Sequence, residues 1–294
     1  MNDHFKIYDL NFNPVPLPVD DLDYGLRGLD LEVSSIGQEP TQHNIPRRPG
    51  NIITGVRDTD RDMTLSARIK AMNATDYRLK RDRVYSFFRG LGAFYVTESL
   101  QGNKLMKVRV IDQYVPERPD NLQTYAFVDI PLKIDGHPYW ISRFKTMDLH
   151  KHNGIPANGN WSFGMGIDVS PDNLIYQYEN ASEFNIYNAG IPLKTIQEKD
   201  NCEIKIEIKQ NVTSFILYDA TGGKWEYNPT KNSDWKLKPG DVIIFNGHDV
   251  RLNKTTIMER TNRYYPILKE GINKFKISGL PKYKITFDFR FKYY

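Results

Sequence analysis

The stretch NATDYRLKRDRVYSFFRGL, residues 73–91, decides the fold of the first half of the chain. Asn73 can accept a backbone N–H with its side-chain oxygen and so cap a helix. Asp76 three residues on places a carboxylate near the positive end of that helix. Val84, Phe87, Phe88 and Leu91 recur at spacings of three and four, which marks one apolar helical face. Arg78, Lys80, Arg81 and Arg83 fill the opposite side and read as a solvated face, or as partners for acids on a neighbouring subunit. Gly90 and Gly92 end the helix, because glycine tolerates the backbone that closes one. Strand-like runs flank it at 63–69, 94–98 and 105–111. An amphipathic helix between alternating strands must lay its aromatic face on a sheet, so the first half is expected to be an α+β unit.

Working outward, residues 4–10 and 26–36 alternate apolar and polar side chains and predict two more strands. PVPLPVDD, residues 14–21, holds three prolines that remove ladder donors, so it is expected as a turn or an exposed arm. GQEPTQHNIPRRPGN, residues 37–51, is built of turn formers and predicts a long loop. Residues 104–112 and 124–134 predict two strong strands joined through PERPDN, residues 116–121. From 148 to 166 the sequence is rich in Gly and Asn with little periodicity, and a linker is expected there. The division is therefore residues 1–147, a linker at 148–166, and residues 167–294.

The second part shows no helical pattern. EIKIEIK, residues 203–209, is strict period two, and 284–291 places Ile285, Phe287, Phe289 and Phe291 on one side. Runs at 212–218, 242–245 and 251–258 lie between turn formers. Short period-two strands with turn chemistry between them predict an all-β sandwich.

Composition narrows the function. The 294 residues include 40 basic and 36 acidic side chains, a net charge of +4, so no broad electrostatic grip on nucleic acid is implied. Mean hydropathy is −0.57 and no apolar run approaches the length of a membrane span, so no membrane partner is expected. The N-terminal MNDHFKIYDLNF is not patterned as a signal peptide. One cysteine, Cys202, excludes an internal disulfide, and its place at the head of a strand suits a small packed residue rather than a nucleophile. Asp148, His150 and His152 would share one face of an extended segment, but no second ligand pair stands near at a metal-site spacing. Asp219 and Glu226 are carboxylates of the kind a glycosidase pairs, with a surface role as the plainer reading. Trp225, Tyr227 and Trp235 make either a sugar-stacking platform or sandwich-core aromatics. No residue set for catalysis emerges, and neither an enzyme activity, a metal nor a cofactor is expected.

Two blocks, taken in order, carry a resemblance. The first is RRPGNIITGVRDTDRDMTLSARIKA (47–71), the helix, GAFYVTESLQGNKLMKVRVIDQYVPE (92–117) and TYAFVDIPLKIDGHPYW (124–140). The second is NIYNAGIP (185–192), KLKPGDVIIFNGHDVRL (236–252) and YYPILKEGINKFKISG (264–279). Together they resemble the distal tail proteins (Dit) of long, non-contractile-tailed bacteriophages. Lys269 and Glu270 depart from the plainer turn common there, and NIITGVRD is a looser version of the family's Arg-Asp-Gly loop. The resemblance implies a tail-tube-like first domain with sheets and one helix, then a galectin-like or carbohydrate-module-like sandwich. It implies a structural virion protein at the tail tip, made in the host cytoplasm and assembled as a hexameric ring. Its implied partners are copies of itself, the tail tube protein and the tail-associated lysin or hub protein. Receptor-binding or upper baseplate proteins would dock through the second domain.

A ring needs two complementary patches on each subunit. Arg47, Arg48 and Arg57, on or beside the 37–51 loop, are the expected interface residues, since guanidinium groups bind carboxylates bidentately. Asp58, Asp60 and Asp62 follow closely enough to satisfy part of this charge within one subunit. The alternative function is a carbohydrate-binding module or glycan-active protein built on the second sandwich, with Trp225 and Trp235 as stacking residues.

Overall fold

The computed structural model describes residues 3–20, 24–46, 49–119, 123–155, 159–161 and 163–294. It is mostly β-sheet and packs into two compact units, residues 1–140 with 294, and 141–293. The first unit contains β1 (Phe5–Tyr8), β2 (Pro14–Val15), β3 (Gly25–Val33), β4 (Gln38–Asn44), β5 (Asn51–Asp58) and β6 (Met63–Lys70). It continues with helix α1 (Ala74–Leu91), β7 (Ala93–Glu98), β8 (Lys104–Arg109) and β9 (Tyr125–Ile134).

Its main sheet runs in the order β2-β1-β7-β8-β9-β6-β3, with antiparallel pairing throughout. Period two is kept along β6, where Met63, Leu65, Ala67 and Ile69 are buried and the residues between them are half-buried. A bulge falls between Gly28 and Asp30 where β3 pairs with β6. Gly28 is required there, because a Cβ at this position would lie 2.7 Å from the ring of Phe5 on β1. The sheet therefore curls until its two ends touch. Part of the PVPLPVDD arm joins it as the two-residue β2, at the outer edge where proline is tolerated.

The helix forms where its caps dictate. Asn73 Oδ1 accepts from the N–H groups of Thr75 at 3.0 Å and Asp76 at 2.9 Å. The Asp76 carboxylate accepts in turn from the N–H of Met72 at 2.8 Å, a reciprocal cap. Gly92 ends the helix at φ +61°. The buried stripe is Tyr77, Lys80, Val84 and Phe88, while Phe87 and Leu91 are only half-buried. Phe87 instead meets Phe88 edge-on at 5.1 Å, and Phe88 packs against Phe94 of β7 and Tyr114.

Lys80 departs from the expected solvated face. Its ammonium reaches Asp20 and lies 3.5 Å from Asp76, and Arg83 reaches the other oxygen of Asp20 at 2.6 Å. The basic face of α1 thus pins the proline arm of its own chain. Hydrogen bonds from Lys80 and Arg83 lower the pKa of the Asp20 carboxyl.

The second unit holds two sheets face to face. One runs Gln177–Glu179, Tyr283–Phe289, Cys202–Ile208, Val242–Asn246, Asp249–Leu252 and Thr255–Thr256; the other runs Glu183–Asn188, Gly271–Ser278, Phe215–Tyr218 and Lys224–Tyr227. Aromatic rings join them: Phe275 lies 4.9 Å from Phe287, and Trp225 lies 4.9 Å from Phe245. This is the sandwich that period two predicted.

The Gly- and Asn-rich segment is not a bare tether. A second helix, α2 (Thr146–Lys151), precedes the Gly-rich run, and Leu149, Trp161 and Met165 are buried. Thr146 Oγ1 donates to the carbonyl of Phe287 at 3.1 Å, and Trp161 Nε1 donates to Asp148 at 2.8 Å. Three spaced apolar anchors are too few to show a period, so the pattern was missed. The boundary falls at 140/141 instead, ahead of this segment.

Phe88 is the anchor of the helix, 2 % exposed at the centre of its aromatic cluster. Phe88→Ala is expected to lower unfolding stability by about 3–5 kcal/mol, the cost of truncating a buried aromatic side chain. Chemical denaturation of the full chain measures it, and a change below about 1 kcal/mol would remove Phe88 from that role.

Candidate assembly surface

Residues 37–58 are the part of the first unit that its core does not explain. The sequence predicted a loop to 51, yet β4 and β5 pair antiparallel from Gln38↔Asp58 to Asn44↔Asn51. They form a two-stranded sheet of their own. Every residue of β4 is exposed, and β5 exposes Ile53 at 58 % and Val56 at 57 %. Ile45 beyond β4 adds a third exposed apolar side chain.

The base of this ribbon is fixed to the unit. Thr59 N–H donates to the carbonyl of Gly37 at 2.8 Å, and Ser34 N–H to that of Asp62 at 2.9 Å. Tyr139 donates its hydroxyl to Asp58 at 2.5 Å. Beyond these bonds, the hydrogen bonds of the described ribbon residues run within the ribbon itself, along its ladder and between side chains on its two strands. An isolated two-stranded hairpin is marginal in water, and its outer edges offer unpaired N–H and C=O groups.

The three candidate arginines separate here. Arg47 and Arg48 lie outside the described residues. Arg57 sits opposite Glu39 in the ladder and pairs with it at 2.8 Å, both side chains mostly exposed. Its charge is met within the ribbon, although an exposed pair of this kind is held only weakly.

The other candidates resolve as structure. Trp225 is fully buried against Phe215, Tyr227 and Phe245, so it has no face to offer a sugar. Trp235 is half-buried, with the guanidinium of Arg260 5.8 Å from its ring centre. Cys202 is buried, and desolvation pushes its thiol well above the ordinary range, where it is inert. Residues 148–151 are helical, so Asp148, His150 and His152 do not share an extended face. His152 Nδ1 instead lies 2.7 Å from the carbonyl of Asp148. Among the described residues no group of three or more His, Cys, Asp or Glu is placed to hold a metal ion, and no helix is long and apolar enough to cross a membrane.

Asp219 and Glu226 are not a catalytic pair. Glu226 is bound by Lys224 at 2.6 Å. Asp219 organises a turn: Oδ1 accepts from Thr221 N–H at 2.8 Å, Thr221 Oγ1 at 2.6 Å and Gly223 N–H at 3.1 Å. Its Oδ2 accepts from Tyr264 Oη at 2.6 Å and Ile267 N–H at 2.9 Å. Desolvation acts to raise its pKa, but these hydrogen bonds outweigh it and hold the carboxyl below the usual range. A depressed folded-state pKa adds stability above the unfolded value, and that stability is lost as pH falls through the folded one. Wild type is therefore expected to lose stability more steeply than Asp219→Asn below about pH 4, near the ordinary carboxyl pKa. Equal slopes in acid denaturation curves of the two proteins would show that Asp219 is not held ionised by this turn.

Comparison with known proteins gives one match to the first unit and others over nearly the whole chain. Residues 24–134 match the family model of the phage tail protein RIFT-related domain, which spans α1, most of the main sheet and the ribbon. Among solved structures the chain is similar to the Dit protein (gp 19.1) of phage SPP1, described as a paradigm of the hub adsorption apparatus in phages infecting Gram-positive hosts. The TM-score is 0.59 at 12 % identity, covering 98 % of this chain and 99 % of that one. A chain of the phage p2 baseplate in its activated conformation with Sr matches at TM-score 0.41 and 11 % identity, over 97 % of each chain. No curated protein sequence matches the chain. Residues 24–134 are thus similar to a phage tail RIFT-related domain, and the chain as a whole shares the fold of the SPP1 Dit protein.

Proposed function

We propose that this protein is a structural subunit of the phage tail tip that closes into a six-membered ring through the β4–β5 ribbon of its first unit. The observation behind this reading is the ribbon itself. It is a fully exposed β4 paired only to β5, with Ile53 and Val56 in solvent and two sheet edges unmet. Such an element gains most of its stability from another chain, and a head-to-tail contact repeated around a rotation axis closes a ring without enzymatic chemistry. In this reading Arg47 and Arg48 contact the neighbouring subunit or a stacked tail protein. The tail tube protein docks on one face of the ring and the hub or tail-associated lysin on the other. The second unit, read as a galectin-like sandwich, carries peripheral host-recognition proteins.

Native mass spectrometry of the full chain tests the ring and is expected to give six times the monomer mass. Ile53→Lys with Val56→Lys is expected to shift the population to monomer while leaving the unfolding midpoint of the monomer unchanged, because both residues are already exposed. A truncation ending at Trp140 is expected to keep the ring, and one starting at Ile141 to stay monomeric. A purely monomeric wild type at high micromolar concentration, or a ring made by the second fragment alone, would overturn the assignment.

A further inference from the structure

Arg61 lies between the ribbon and β6 in sequence and is 8 % exposed, an unusual place for a guanidinium, with Tyr139 acting on it electrostatically. Its Nε makes no hydrogen bond, and among the described residues no carboxylate forms an ion pair with it. Sequence neighbours Asp60 and Asp62 are exposed, and Asp58 is taken up by Tyr139. Burial pulls the pKa of Arg61 below the ordinary arginine value, though a guanidinium stays charged at any physiological pH. A buried cation is costly unless something else neutralises it.

The side chain does not face solid core. It lines a cavity of about 310 Å³ within the first unit, whose other lining residues include Glu98, Gln101, Lys104, Trp140 and Tyr294. That volume is at the lower end of small-ligand sites and larger than a bare ion fills. Three charges border it: Arg61 and Lys104 positive, Glu98 negative. Desolvation lowers the pKa of Lys104, and the Glu98 carboxylate acts against that shift.

We propose that this cavity binds a monocarboxylate, gripped by the Arg61 guanidinium with its carbon body against Trp140. A single carboxylate meets the guanidinium at two points, whereas Glu98 opposes a doubly charged phosphate more strongly. Guanidinium and carboxylate share the planar two-point geometry that makes such pairs strong. The carboxylate comes either from a small organic acid or from an acidic side chain of a partner protein. The proposal is independent of ring formation.

Thermal unfolding of the full chain, titrated with sodium butyrate against sodium chloride at equal ionic strength, reads out the site. A saturable rise in midpoint with butyrate, absent with chloride, is expected, since a ligand of the folded state stabilises it by mass action. The same titration with N-acetylglutamate α-amide distinguishes the sources: tighter binding than butyrate assigns a partner's side chain, weaker binding a free acid. Arg61→Met is expected to weaken binding by about tenfold or more, the loss of a hydrogen-bonded charge pair. Arg61→Lys keeps the charge but not the fork and should fall between. Glu98→Gln, which retains both cations, is expected to bind butyrate more tightly, and it supplies the test if Arg61→Met does not fold. An equal response to chloride, an equal or larger one to phosphate, or unchanged butyrate affinity in Glu98→Gln would overturn the proposal.

Discussion

The close approach of Phe5 to Gly28 is the constraint on which the first unit rests. An antiparallel sheet of this length has two edges to hide, and a flat one would leave both in water. Omitting a side chain at 28 lets β1 settle onto β3, and the bulge beside it sharpens the bend. Asp3 holds the contact from the other side, accepting from the Gly28 N–H at 3.0 Å and lying 3.7 Å from Arg27. With the sheet curled, α1 can lay Phe88 and Val84 on its concave side, where Phe94 completes the aromatic cluster. The helix follows from the curl, and the Asp20 contacts of Lys80 and Arg83 follow from the helix.

What was legible in the sequence is what local physics writes there. The caps of α1, the period of β6 and the alternation of the 202–208 strand are signals within a few residues of one another. The ribbon was illegible for the opposite reason. GQEPTQHN carries no apolar alternation because β4 buries neither face, and a strand without a buried face has no period to show. Lys80 was misplaced because its burial depends on Asp20, sixty residues away, which no helical pattern can indicate. Phe87 went wrong by a small rotation: the stripe of Tyr77, Lys80, Val84 and Phe88 places it at the edge of the buried face.

The candidate chemistry dissolved on the same grounds. Asp219 looks like a functional carboxylate when only its type is known. Five donors converge on it, and a carboxylate with its lone pairs so occupied is a structural acceptor rather than a base awaiting a proton. Trp225 resembled a sugar platform because a tryptophan on a short strand is read equally well from either face. In the sandwich it points inward, where its ring joins the two sheets through Phe245.

The ribbon and the cavity by Arg61 share one stretch of chain, and this bears on how the surface works. Residues 34–62 leave and rejoin the sheet through backbone bonds at Ser34–Asp62 and Gly37–Thr59, with Tyr139 bonded to Asp58 one residue beyond the second. Arg61 stands one residue inside the closing bond. Arg57 and Glu39, by contrast, form an exposed ion pair, which adds little rigidity of its own. The ribbon is thus tied down at its base by backbone bonds and the Tyr139–Asp58 contact, while edges and apolar side chains stand exposed farther out. A surface organised this way suits repeated contact with identical neighbours, where each copy must present the same edge at the same angle.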